Sequence, residues 1–340
     1  MRNKLKPTID QLSDMYAAAA AFKQAEPWTI LYDIDLIAID NPESGERGYC
    51  SIMGNGGIHY GLGVYLGAKG LFGFNQMLER SSEMSEFAFL EYQDNIMCSF
   101  EDRDQLTKAD YEQIKALGLK FRGRNAWPLF RRYEPGFYPW HINADECVFL
   151  THALRQIPAV VSDLREGNVH LDPTMDKIIL RQARKEGDQL EWESREIERI
   201  RPTRTLHPVQ ITDERLLDSI KTAPACDMIL LTDIQYISEA VQNDKEDRPY
   251  FPRLMLIVEK QSDMPVGFEM YQDIERDADV VLSKVIDFVQ AHGRPREIQV
   301  RGERMPAILA DFCQKADIKL TVFKQLKPID RLFKVMTSFM

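Results

Sequence analysis

The chain has 340 residues, 44% apolar and 28% charged, with 43 basic and 53 acidic side chains and a formal net charge of −10. These values exclude a disordered, collagenous or coiled-coil chain and are ordinary for a soluble globular protein of two or three domains. A net acidic chain makes nucleic acid an unlikely partner, because phosphate contact needs a local excess of Lys and Arg.

The N-terminal half opens with a helix over 9–25. Thr8 and Gln11 form its capping box, and Pro27 and Trp28 end it. Alternation over 30–39 predicts a strand. Asn41-Pro42-Glu43-Ser44-Gly45 then turns the chain into strands over 48–53 and 58–66, joined by Gly54-Asn55-Gly56-Gly57. These three strands predict an antiparallel meander. A short helix over 69–80 is followed by a hairpin over 87–101, turning at Gln93-Asp94-Asn95. Thr107 and Asp110 frame another helix, which stops at Gly118. Residues 120–142 are extended but carry too many prolines for one central strand. Asn143 and Glu146 cap a helix reaching about Arg165, with Pro158 expected to kink or shorten it.

Residues 166–210 are densely charged and predict a β-ribbon, 177–184 with 189–198, turning at 185–188. Beyond it come a helix over 213–221, an apolar run over 228–231, a loop at Arg248-Pro249-Tyr250-Phe251-Pro252, and strands over 253–259 and 265–271. A helix over 277–291 follows, with Val281, Val285 and Val289 on one face. A strand over 297–301, a helix through Met305, Leu309, Phe312 and Ala316, a strand over 318–323 and a final helix complete the chain. The pattern predicts an α+β or α/β protein. Its domains are 1–165, mostly an antiparallel sheet with helices; 166–210, a connector or ribbon; and 211–340, a mixed sheet flanked by helices.

Two stretches carry a resemblance. GYCSIMGNGGIHYGLGVYLG with NAWPLFRRYEPGFYPWHINADE, and RPYFPRLMLIVEK with HGRPREIQVR, resemble an uncharacterised bacterial family built from two domains of unknown function. The likeness covers most of the chain and brings no assigned activity. The order hairpin, helix, strand, helix, strand, helix over about 253–338 is similar to the ribonuclease H and integrase fold, with one hairpin strand unaccounted for. That likeness implies carboxylates on the first strand and at the end of the strand after the helix, around a pair of divalent ions. Glu259 is the first-strand candidate, and Arg301 stands at the second position. Asp273 and Glu303 substitute only in a different register.

Other chemistry is sparse. The five cysteines (Cys50, Cys98, Cys147, Cys226 and Cys313) include no CxxC pair, and the six histidines form no short metal pattern, so no cofactor and no metal are implied. No apolar stretch is long enough for a signal peptide or a membrane span, so a reducing cytoplasm is expected. No GxSxG elbow is present. His59 follows the glycine turn and His141 follows Trp140, so the fold could bring them together. The segment 127–140 interleaves aromatic rings with arginines, a pattern able to bind anions, peptides or stacked bases or else to cover a sheet. Trp127, Arg131, Trp140, Arg248, Tyr250 and Arg301 join the two histidines as candidate ligand-binding residues. The function expected is a non-catalytic binding or interaction protein, with a protein or small molecule as partner. The alternative is a metal-dependent enzyme acting on nucleic acid.

Overall fold

The computed structural model describes residues 5–80, 88–171, 176–187, 189–244 and 247–337. The protein is α+β and divides into two compact units. One comprises 1–83, 91–135 and 139–203; the other comprises 84–90, 136–138 and 204–340.

The first unit begins with α1 (Ile9–Ala25), whose Thr8–Gln11 capping box forms as the sequence predicts. The strands are β1 (Ile37–Asp40), β2 (Arg47–Met53), β3 (Tyr60–Leu66), β4 (Asn95–Glu101), β5 (Trp127–Tyr133), β6 (Lys177–Glu186) and β7 (Gln189–Glu198). They form one sheet in the order β5-β4-β3-β2-β1-β6-β7. The charged ribbon is the last two strands, and β6 joins the sheet by pairing in parallel with β1. Helices α1 and α4 (Ala144–Glu166) cover one face, where Met15, Phe22, Leu150 and Leu154 meet Ile37, Ile52, Val64 and Ile96. Helix α2 (Gly67–Arg80) covers part of the other through Leu71 and Phe74. Gly73 in α2 is required by close approach, since a Cβ there would lie 2.0 Å from the Tyr92 carbonyl oxygen. Gly54 has φ +141° and lies under the Trp28 ring.

Three elements differ from the sequence expectation. Residues 30–36 are a turn, fixed in part by the Tyr32 N–H donating to Asp35 Oδ2 at 2.9 Å, so β1 starts only at Ile37. Residues 88–91 form a 3-10 turn in place of the first arm of the hairpin expected over 87–101, and residue 87 lies outside the described residues. Helix α4 does not end at Pro158 but runs to Glu166, because Val160 and Val161 beyond the proline are buried. Pro128 is tolerated because β5 is an edge strand.

The second unit has α5 (Glu214–Thr222), β8 (Ala225–Tyr236), β9 (Arg253–Glu259), β10 (Met264–Tyr271), α6 (Asp277–His292), β11 (Arg294–Arg301), α7 (Arg304–Lys315), β12 (Lys319–Phe323) and α8 (Lys327–Thr337). Its sheet order is β10-β9-β8-β11-β12. The β8-β9-β10 half is antiparallel and the β8-β11-β12 half is parallel. The apolar run at 228–231 is thus part of a twelve-residue central strand. Asp227, Thr232, Asp233 and Gln235 break its apolar pattern and hide its length. Helices α6 and α7 cover one face, over Ile257, Ile298 and Val300. Helix α8, with Leu326 just before it, covers part of the other through Ile329 and Phe333, over Leu231, Leu254, Leu256 and Val258.

A buried ion pair ties this unit together. Arg253, 1% exposed, forks onto Asp277 at 2.8 and 2.7 Å, and Tyr271 Oη and Arg304 Nη1 donate to the same carboxylate at 2.7 and 2.5 Å. The Arg253 guanidinium also lies over the Tyr236 ring. Strands β9 and β10 and helices α6 and α7 therefore meet at one carboxylate, and β8 joins them through the Tyr236 ring. Asp277→Ala leaves Arg253 buried without its partner and is expected to cost about 3–5 kcal/mol, read as a lower urea midpoint at unchanged m-value.

Candidate functional site

The second unit carries the best-defined polar cluster. Asp233, within β8, and Arg301, the last residue of β11, stand side by side on adjacent parallel strands. Asp233 is buried, and its Oδ2 accepts from Arg301 Nε at 2.7 Å and lies 2.6 Å from Arg301 Nη2. Arg301 Nη1 donates to Asp330 Oδ1 on α8 at 2.7 Å. Gln235 Nε2 donates to both carboxylates, at 3.1 and 3.4 Å. The alternation of β11 sets this up: Ile298 and Val300 point into the α6–α7 core, while Glu297, Gln299 and Arg301 occupy the other face.

The electrostatics follow from one cation serving two acids. Burial pushes the Asp233 carboxyl up to about 6, because Arg301 offsets only part of the desolvation and Asp330 lies nearby. Burial pulls the Arg301 guanidinium down, but Asp233 and Asp330 outweigh it and hold its pKa above the ordinary value. Chemically the cluster is a closed carboxylate–guanidinium–carboxylate chain. Among the described residues, no group of three or more His, Cys, Asp or Glu side chains is placed to hold a metal ion. All five cysteines are unpaired. Burial raises the thiol pKa of Cys50, Cys98, Cys147 and Cys313, the reverse of what a nucleophile needs.

The carboxylates expected from the sequence lie elsewhere. Glu259 is on the second strand of this sheet, since β8 precedes it. There it caps a turn, accepting from Ser262 Oγ, Ser262 N and Gln261 N at 2.6, 2.7 and 2.9 Å. Hydrogen bonds from Ser262 and Gln261 hold its pKa down. Asp273 and Glu303 are exposed residues before α6 and α7, and neither caps a helix through its side chain. Asp233 and Asp330 escaped the sequence reading. The signal available for Asp233 was a lone acid inside the apolar run MILLTDIQY.

The ligand-binding candidates fall into two groups. In the first unit, Trp127 is buried against Phe121 and Tyr111. Arg131 forks onto Asp110 at 2.9 and 2.6 Å. Burial pushes the Asp110 carboxyl up, but Arg131 and Thr107 more than reverse it and hold the carboxyl low. Trp140 is tied to Arg132 by two backbone hydrogen bonds and rests against the His141 ring at 5.5 Å. Partial burial, with the charge of Arg131, lowers the His141 pKa. His59 is exposed after the glycine turn, and no hydrogen bond or ring contact joins it to His141 among the described residues. In the second unit, Arg248 and Tyr250 meet residues 136–138. Arg248 lies over the Phe137 ring and donates to the Tyr138 carbonyl at 3.0 Å, while Phe137 bridges to Tyr250. The two segments picked out in the sequence, 127–140 and 248–250, thus touch through 136–138.

Residues 13–181 match a domain of unknown function (DUF7309), and residues 216–337 match a second domain of unknown function (DUF6930). The class is a two-domain α+β protein. This chain belongs to the proteins that join these two domains, as the resemblance in its sequence implies. No curated protein matches it. Among solved structures, it is similar to a chain in the cryo-EM structure of the simian T-cell lymphotropic virus intasome in complex with PP2A regulatory subunit B56 gamma. The identity is 16% and the TM-score 0.25, over 35% of this chain and 42% of that chain. Likeness at that score carries no argument.

The raised Asp233 pKa has a testable sign. The folded state holds this proton more tightly than the unfolded state, so the contribution to stability is present below about pH 4 and is lost as pH rises to about 6. Asp233→Asn is expected to flatten that part of the stability–pH profile, a difference of about 3 kcal/mol, measured by urea denaturation across the window.

Proposed function

We propose that the protein is a non-catalytic binding protein whose C-terminal unit is a ribonuclease H-like domain with an arginine in place of its metals. The strand order, an antiparallel three-strand half leading into a parallel two-strand half, supports the fold reading. In this reading β8 is the hairpin strand left unaccounted for in the sequence. The single observation that carries the functional reading is Arg301, held within 2.7 Å of both Asp233 and Asp330. A two-metal centre needs several carboxylates with free lone pairs facing the ions. Here the acids face a guanidinium, which occupies their oxygens and repels a second cation. These residues do not fit a divalent ion. The five unpaired cysteines agree with a reducing cytoplasm.

The metal-dependent alternative makes the opposite prediction. Thermal denaturation with and without Mn²⁺, run beside a cleavage assay on single- and double-stranded nucleic acid, is expected to show no metal-dependent rise in Tm and no cleavage. Arg301→Asp, which replaces the guanidinium by a third acid, is expected to gain a Mn²⁺-dependent rise. A rise in the wild-type protein together with cleavage overturns the proposal.

A further inference from the structure

The polar side of α8 presents Lys327, Asp330, Arg331 and Lys334, which line an open trough of about 500 Å³. Arg301 contacts the trough's one lining carboxylate, Asp330, at 2.7 Å. Asp263 approaches from the side, accepting from Arg331 at 2.8 Å. Arg301 and the three basic lining residues are four cations against three acids, Asp330, Asp263 and, through Arg301, Asp233, which leaves an excess of one positive charge. The local sequence shares this bias. In a chain of net charge −10, the segment 315–334 carries six basic and two acidic side chains. Lys327, Arg331 and Lys334 sit at i, i+4 and i+7, a span of about 10 Å along the helix axis. One phosphate group does not cover that length.

We infer that this trough binds a ligand carrying more than one phosphate group, with Lys327, Arg331 and Lys334 as its contacts. This inference rests on the binding-protein reading above. Asp330 opposes the ligand's charge while it keeps Arg301 in place. A chain of phosphates of this kind comes either as a free polyphosphate or as a nucleic-acid backbone.

The test uses the full chain with two probes: inorganic tripolyphosphate by calorimetry, and a labelled single-stranded oligonucleotide by anisotropy. Both probes are examined afterwards for breakdown. Tripolyphosphate is expected to bind, and to weaken roughly twentyfold between 50 and 200 mM salt for three phosphate contacts. Lys327→Glu with Lys334→Glu changes two exposed side chains. The double variant is expected to lose tenfold or more in affinity at unchanged Tm, and Asp330→Asn to bind more tightly than the wild type. Oligonucleotide binding with the same dependence on the variants assigns the phosphates to a nucleic-acid backbone; binding of tripolyphosphate alone assigns them to a free ligand. Absence of binding to both probes, or equal binding by the double variant, overturns the site. Breakdown of a probe overturns the non-catalytic reading and leaves the site standing.

Discussion

A buried carboxylate on the central strand of a sheet has to be answered by something, and in the second unit the answer is Arg301. Asp233 lies between β9 and β11, out of reach of bulk water, where an isolated charge is untenable. The guanidinium at the end of the neighbouring strand donates through Nε to it, holds Nη2 2.6 Å from the same oxygen, and donates through Nη1 to Asp330. That one side chain links the central strand, its parallel neighbour and the helix over them. It also decides the chemistry. The same geometry with a carboxylate at 301 would gather acids for a cation; with a guanidinium it closes on itself.

The division of labour between the two sheet faces follows from strand alternation. In the second half of β11, Ile298 and Val300 enter an apolar core with α6 and α7, and Glu297, Gln299 and Arg301 face the α8 side. Helix α8 is narrow, and its buried residues reach mainly β8 and β9. The β11 positions beyond it hold Glu297, Gln299 and Arg301, which satisfy one another or their neighbours. The polar character of this region is thus what remains where one amphipathic helix covers only part of a five-stranded sheet. The Arg253–Asp277 fork makes a similar point on the other face. A buried pair with two further donors fixes where β10 ends and where α6 begins.

The aromatic and arginine-rich segment is the clearest case of one pattern with two readings. Trp127 and Arg131 supply buried area and an ion pair in the first unit. Three residues of the same stretch, 136–138, join the second unit and pair with 249–251. Composition alone does not separate these roles, because a ring beside a guanidinium has the same makeup whether it covers a sheet or offers a platform.

Local signals were legible in the sequence because they depend on residues close in the chain. The capping boxes at Thr8, Thr107 and Asn143, the glycine turn at 54–57, the ribbon at 177–198 and the amphipathic helices of the last third all form. The place of Arg301 at a strand end was legible too, through the likeness carried by HGRPREIQVR, but the acids it meets there, Asp233 and Asp330, were not. What the chain order concealed was β8. Its alternation is interrupted by Asp227, Thr232, Asp233 and Gln235, and the two that carry the cluster, Asp233 and Gln235, are met there by Arg301 and Asp330, partners remote in sequence. Asp330 belongs beside Asp233 for the same reason, 97 residues away in the chain. Periodicity reports which face of an element is apolar. Only the closed sheet determines which polar groups are buried together, since desolvation and ion pairing depend on distance in space.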